Sequence, residues 1–98
     1  MSAPTRYVIF HRPGPTWNRQ LGALEQPGVA RHFEYLQAAF RAGKIQLAGP
    51  FPEGDTGGMI IMSAAATERD AAALVESDPG VKSGLIRAEV RAWLTTLG

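Results

Sequence analysis

Four short segments of the chain carry the apolar, β-branched and aromatic residues that are typical of β-strands. They occupy residues 7–10, 44–48, 59–62 and 85–93. In the last of these segments, Ile86, Ala88 and Val90 alternate with charged neighbours, which is the period of a half-buried strand. The pattern therefore predicts four strands.

Between the first two strands, the apolar residues change to the period of a helix. They stand at i, i+4, i+7 and i+11 and are Val29, Phe33, Leu36 and Phe40. His32 falls in the first turn, beside this stripe rather than at its centre, so we expect it to border the core. Gly43 suits the left-handed residue that ends a helix.

A second helix is predicted between the third and fourth strands. Thr67 is a favourable N-cap residue, with Glu68 and Asp70 in the first turn, where the helix dipole favours anions. We expect the helix to close at Asp78, because Pro79 cannot continue it. A carboxylate at that end of a helix is disfavoured by the dipole.

The elements follow the order β-α-β-β-α-β. This order is that of an α+β, ferredoxin-like fold, with an antiparallel four-stranded sheet and two helices on one face. The length of 98 residues predicts one domain, over residues 1–98. Residues 13–28 contain three Pro and three Gly and form a long loop, of the kind that is usually functional in compact domains.

Most of the unusual residues of this chain are predicted to meet at one edge of the sheet. The end of strand 1, the start of helix 1, the hairpin between strands 2 and 3 and the end of helix 2 all point the same way. These positions hold the candidate site residues His11, Trp17, His32, Gly49, Pro50, Phe51 and Asp78. The sequence therefore predicts one pocket at this edge.

His32 and Asp78 are the candidate catalytic residues. In a His–Asp pair the carboxylate accepts from one ring nitrogen, fixes the tautomer and raises the basicity of the other nitrogen. Each residue also has a simpler interpretation. His32 could be a half-buried histidine that is hydrogen-bonded to the loop, and Asp before Pro is a common helix stop.

The other candidates are predicted to bind substrate. His11 lies at the same edge, although strand parity leaves its sheet face open. Trp17 either covers the pocket or pins down its own loop, and Gly49-Pro50-Phe51 either lets a ligand approach the backbone or only ends a strand. Arg87 and Arg91 either bind an acidic group of the substrate or, bridged by Glu89, lie on a face that contacts solvent or a second subunit.

Composition excludes several classes of function. The apolar fraction is 45% and the net charge +1, with no basic cluster in the sequence that suggests nucleic acid and no apolar stretch that could span a membrane. The chain has no cysteine, and its two histidines lack a zinc spacing. Gly54-x-x-Gly57-Gly58 lies in a hairpin and lacks the following Lys-Ser/Thr of a phosphate loop. We expect a soluble, cytoplasmic protein without a metal or other cofactor.

The chain resembles the YCII-related family of small ferredoxin-like proteins. The resemblance rests on His32-x-x-Tyr35-Leu36, Gly43, Ala48-Gly49-Pro50-Phe51, Gly57-Gly58, Asp78-Pro79-x-Val81-x-x-Gly84 and Val90-Arg91-x-Trp93. It implies a homodimer in the form of an α/β barrel, with an active site on a His and an Asp that correspond to His32 and Asp78. The chain departs from shorter members in its loop over residues 13–28, and in Ala92, where a Pro is usual.

Three functions fit these observations. The first is a cofactor-independent enzyme of the lyase or isomerase type, in which His32 moves a proton and Asp78 orients it. The second is a binding module that senses a small metabolite through the same pocket without turnover. The third is a structural dimer in which the two residues form a satisfied buried pair.

Overall fold

The computed structural model describes residues 4–53 and 57–98, so part of the predicted turn at 52–58, including Gly54, lies outside the described residues. Its regular elements, in chain order, are β1 (Thr5–Pro13), a 3₁₀ helix (Ala23–Glu25), α1 (Val29–Arg41), β2 (Ile45–Pro50), β3 (Gly58–Met62), α2 (Glu68–Ser77), α3 (Pro79–Lys82) and β4 (Ile86–Leu94). The predicted order of strands and main helices is confirmed. The 3₁₀ helix and α3 are additions.

The four strands form one antiparallel sheet in the order β2-β3-β1-β4. Ile9 in the central strand β1 lies opposite Ile60 on one side and Val90 on the other. Directly opposed residues of antiparallel strands point to the same face, so these three side chains share one face. The ferredoxin-like fold is confirmed, and the homodimer and barrel remain predictions.

The helices pack on that face and form the core with it. The buried apolar residues of this cluster are Ile9, Ala39, Ile45, Ile60, Met62, Ala71 and Leu74. The predicted alternation of β4 is confirmed, since Ile86, Ala88 and Val90 are buried or half-buried while the charged residues between them are exposed.

The second strand does not keep the alternation of a half-buried strand beyond its first residue. A β-bulge between Ile45 and Leu47 shifts the register, so Ile45 opposes Met62 whereas Leu47 opposes Ile61. Ile45 is 3% exposed in the core, and Leu47 is 59% exposed on the other face of the sheet. The extra residue of a bulge reverses which face the following side chains take.

The expected buried stripe of the first helix is also displaced. Phe33 and Phe40 are 37% and 58% exposed, whereas His32 and Ala39 are buried. His32 therefore belongs to the buried face and does not merely border it. The small side chain of Ala39 lets α1 lie close to the sheet along this face, and a charge partner makes the burial of a histidine tolerable.

The second main helix begins and ends as predicted, and a further short helix follows it directly. Thr67 and Asp70 form a reciprocal capping box at its start. At its end, Asp78 is both the C-cap of α2 and the N-cap of α3, in which Pro79 takes the first position. The unfavourable dipole expected at Asp78 is offset, because its carboxylate accepts a hydrogen bond from the backbone N–H of Gly80 at 2.8 Å.

Candidate functional site

A buried ion pair joins α1 to the junction of α2 and α3. His32 Nδ1 lies 2.8 Å from Oδ2 and 3.0 Å from Oδ1 of Asp78. His32 is 4% exposed and Asp78 is 2% exposed. The two residues are 46 positions apart in the sequence, and the topology alone brings them together.

The pair fixes which nitrogen of His32 can act as a base. An ionised carboxylate only accepts hydrogen bonds, so Nδ1 must carry the proton that it donates to Asp78. In the neutral ring Nε2 is then unprotonated and carries the lone pair. The arrangement is that of a histidine whose tautomer is set by an aspartate.

Glycine at position 80 lets α3 approach the pair closely. A Cβ atom there would lie 3.1 Å from both Cβ and Nδ1 of His32 and 3.2 Å from Oδ1 of Asp78. These distances are tighter than ordinary packing contacts. Gly80 thus allows a backbone N–H to reach the carboxylate without pushing the imidazole away.

A pocket of about 110 Å³ lies beside the pair at the predicted edge of the sheet. Six of the predicted site residues line it, namely His11, Trp17, His32, Gly49, Pro50 and Phe51. Asp78 does not line it but lies behind His32, on the Nδ1 side of the ring. The walls are mostly apolar and aromatic, with Phe33 and Val29 among them, and the imidazoles of His11 and His32 are the groups in the pocket suited to proton transfer.

The family of this chain follows from its sequence match. A family model, the YCII-related domain, matches residues 5–94. The chain belongs to the YCII-related domain family. A comparison with curated proteins finds no match. The match covers every strand and helix of this YCII-related domain, including both members of the ion pair.

His11 takes the helix-facing side of β1, a question that the sequence leaves open. It has the same parity as Ile9 and lies opposite Gly58 and Ala88. Its ring meets that of His32 edge to face, with 5.2 Å between the ring centroids. Burial, and next the nearby His32, lower the pKa of His11 to about 4, against the opposing effect of Asp78. His11 is therefore a neutral imidazole at neutral pH.

The segment from Gly49 to Phe51 forms one wall of the pocket. Phe51 is 43% exposed there, and its backbone N–H donates to the carbonyl of Gly57 at 2.8 Å, which closes the hairpin. A Cβ atom at Gly49 would meet nothing within 4 Å. Contacts among residues 4–53 and 57–98 therefore do not require glycine at position 49, whereas a Cβ at Gly58 would lie 2.6 Å from the Gly49 carbonyl.

The loop that carries Trp17 is organised by a residue that sequence reasoning missed. Gln26 is 2% exposed, and its Oε1 accepts from the backbone N–H of Asn18 at 2.9 Å. Its Nε2 donates to the carbonyls of Asn18 at 2.7 Å and Leu21 at 3.0 Å. Backbone polar groups that a loop turns inward need partners, and this requirement was the one available signal for a side-chain amide in residues 13–28.

Replacing Gln26 with alanine is expected to lower the free energy of unfolding by about 1–3 kcal/mol, because partly buried backbone groups lose their partners. Trp17 should become more mobile at the same time. Urea denaturation measures the first effect, and the NMR line shape of the Trp17 indole measures the second. Gln20→Ala, an exposed position in the same loop, is the control and should change neither quantity. Equal behaviour of the two variants would contradict this account of the loop.

A larger cleft, of about 490 Å³, lies at the opposite end of the domain, between α1 and α2. It is lined by Tyr35, Lys44 and Asp70 among others. The hydroxyl of Tyr35 donates to the Leu74 carbonyl at 2.7 Å, and burial raises its pKa. The hydroxyl is thus engaged, whereas the two imidazoles lie at the smaller pocket.

Two further findings concern the described part of the chain. In residues 4–53 and 57–98, no three His, Cys, Asp or Glu side chains converge in a way that could hold a metal ion. Within the same residues, each helix is too short or too polar to cross a membrane.

Proposed function

We propose that this YCII-related domain is a cofactor-independent enzyme that moves a proton on a small substrate, in a reaction of the lyase or isomerase type. The observation that carries the proposal is the position of His32, whose ring lines the pocket while its Nδ1 is bonded to buried Asp78. His32 is the base, and Asp78 orients its ring and stabilises the imidazolium that forms.

The reaction begins with an acidic C–H group of the substrate beside His32. Nε2 of His32 takes the proton, and the electron pair of the C–H bond moves into an adjacent carbonyl to give an enolate. An isomerase then returns the proton from His32 at another carbon, whereas a lyase expels a leaving group. General acid–base catalysis of this kind contributes roughly 10²–10⁴-fold, which suits an activated carbon acid.

The rest of the pocket supports this chemistry. His11 is neutral above about pH 4, so its ring can donate one hydrogen bond to a substrate oxygen without carrying charge. Apolar walls from Trp17, Phe33 and Phe51 make the pocket less polar than water, which strengthens electrostatic interactions in the site. A cavity of about 150 Å³ binds benzene in another protein, so a pocket of about 110 Å³ that opens to solvent suits one small ring.

Deuterium exchange tests proton transfer directly, whatever product the full reaction gives. The protein is incubated in D₂O with small cyclic enones and enol lactones, and NMR follows deuterium entering the acidic C–H position. We expect exchange with at least one compound, and a fall of roughly 100-fold or more in His32→Gln. Glu34→Gln, an exposed carboxylate on the same helix, is the control and should exchange like the wild type. Exchange that survives His32→Gln would contradict the proposal.

A second function is supported by the burial of the pair, since a non-catalytic binding module would also need a rigid, satisfied wall for its pocket. In that case a compound raises the melting temperature by mass action and is recovered without deuterium. The same samples therefore separate the two functions.

A further inference from the structure

The chain just before Trp17 is attached to the turn between α3 and β4. The backbone N–H of Gly14 donates to the carbonyl of Leu85 at 2.8 Å. The backbone N–H of Thr16 donates to the carbonyl of Gly84 at 3.0 Å. A Cβ atom at Gly14 would overlap the Gly84 carbonyl oxygen, so glycine allows this close attachment. Main-chain hydrogen bonds therefore fix the loop on this side of Trp17.

The chain just after Trp17 is attached to the buried side chain of Gln26. The backbone N–H of Asn18 donates to Oε1 of Gln26 at 2.9 Å, and the Asn18 carbonyl accepts from Nε2 at 2.7 Å. Both neighbours of Trp17 are thus held through their own backbone, and the indole is not needed to hold the loop. The sequence left open whether Trp17 covers the pocket or pins down its loop, and these contacts favour the first interpretation.

Trp17 forms a wall of the candidate pocket and lies outside the core. It is half-buried, and it lines both the pocket and a cleft of about 310 Å³ on the other side of residues 13–17. Among the described residues, the buried apolar cluster of the core does not extend to Trp17. A shorter side chain at this position would therefore leave space at the pocket that core packing does not fill.

Other walls of the pocket are fixed. His32 is held by its bond to Asp78. On the side of the sheet, Gly58 lies directly opposite His11, and a Cβ atom at Gly57 would lie 2.6 Å from the His11 carbonyl oxygen. Main chain that is packed this closely cannot recede to admit a larger ligand. The dimension of the pocket towards the loop is thus set by a side chain.

We propose that Trp17 determines the size of the substrate and limits it to a single planar ring. The indole closes the pocket of about 110 Å³ on the side of the loop, and its anchored neighbours keep it there. One extra group in a closely fitting hydrophobic pocket changes affinity by roughly 10–200-fold, so a wall of this kind discriminates strongly by size. The limit on the substrate rests on the proposed function, whereas the limit on binding does not.

Phenol and 2-naphthol test the size limit, because both are neutral and planar and they differ by one fused ring. NMR titration of the wild type is expected to show tighter binding of phenol, although 2-naphthol has more apolar surface to bury. Trp17→Ala should bind 2-naphthol about tenfold or more tightly than the wild type does, and phenol no more tightly. Trp17→Phe, with a smaller aromatic wall, should lie between the two. Trp93→Ala, which removes an exposed tryptophan of β4, is the matched control and should bind like the wild type.

Three results overturn the proposal. The first is a ratio of the two affinities that is the same in Trp17→Ala and the wild type. The second is a wild type that binds 2-naphthol more tightly than phenol, and the third is a wild type that binds neither compound. Deuterium exchange at His32 is measured separately, so exchange can fail while the size preference holds, and the reverse.

Amide hydrogen exchange distinguishes a wall of the pocket from an anchor of the loop. The hydrogen bonds of the Gly14, Thr16 and Asn18 amides do not involve the indole. Their protection against exchange should therefore be the same in Trp17→Ala as in the wild type. A loss of this protection would show that Trp17 pins down the loop, and would contradict the proposal.

Discussion

Replacing His32 with leucine is expected to lower the free energy of unfolding by about 3–5 kcal/mol, because it leaves the carboxylate of Asp78 buried without its charge partner. Asp78 is only 2% exposed and then keeps just the N–H of Gly80. Asp78→Leu should cost a similar amount for the same reason. It also removes the cap of α3, a loss of typically about 1 kcal/mol.

The double variant His32→Leu/Asp78→Leu separates the ion pair from simple packing. Removing both charges leaves no uncompensated group, and an apolar pair of similar volume is often neutral or stabilising. We expect the double variant to be more stable than either single variant and to retain mainly the loss of the cap. Urea denaturation of the wild type, the two single variants and the double variant gives the coupling energy between positions 32 and 78. Asp70→Leu, which removes an exposed capping carboxylate on α2, is the control. If the losses of unfolding free energy in His32→Leu and Asp78→Leu simply add in the double variant, the two residues are not coupled.

Stability is expected to fall by on the order of 3 kcal/mol between about pH 6.5 and about pH 4 through His11 alone. Burial and the neighbouring His32 lower its pKa in the folded protein from 6.5 to about 4. Between these values the unfolded chain binds a proton that the folded protein does not. The contribution is therefore fully present above pH 6.5 and is lost as the pH falls towards 4.

His11→Gln tests this prediction, because glutamine does not titrate. Urea denaturation of the wild type and the variant at intervals from pH 7 to pH 4 gives two stability curves. The difference between them should change steadily over this window and level off below it, while carboxylates contribute equally to both. Parallel curves would show that His11 titrates alike in the folded and unfolded states.

The sheet could be predicted from the sequence where one alternation runs without interruption. In β4, charged and apolar residues alternate from Ile86 to Arg91, and the structure keeps this alternation. In β2, the bulge after Ile45 inserts one residue and reverses the faces that follow. Nothing in the predicted strand segment 44–48 indicates where the bulge lies, because the position of a bulge depends on the pairing with β3.

The site could be predicted at the level of elements and less well at the level of side chains. Topology alone places His32 and Asp78 at one edge, because the start of α1 and the end of α2 must meet there. Burial could not be predicted, since an apolar period favours Phe33 over His32 as the core residue of α1. The charge partner that reverses this choice comes from another helix, and a helical wheel contains no such information.

The start of α3 and the contacts that organise the loop over residues 13–28 could not be predicted from the sequence. Asp78-Pro79 stops α2 as expected, but the same dipeptide starts α3, because an N-cap aspartate before a proline in the first position favours a new helix. Gln26 follows no period at all, and its role depends on backbone groups eight, five and four residues away.

Measuring the tautomer of His32 tests most directly the claim that Asp78 orients His32 as a base. Long-range ¹H–¹⁵N NMR distinguishes a protonated ring nitrogen from an unprotonated one, and with two histidines in the chain, His11→Gln assigns the signals. At a pH where the ring is neutral, we predict a proton on Nδ1 and none on Nε2 in the wild type. In Asp78→Asn we predict a mixture of the two tautomers. A proton on Nε2 in the wild type, or a pattern that Asp78→Asn leaves unchanged, would contradict the account.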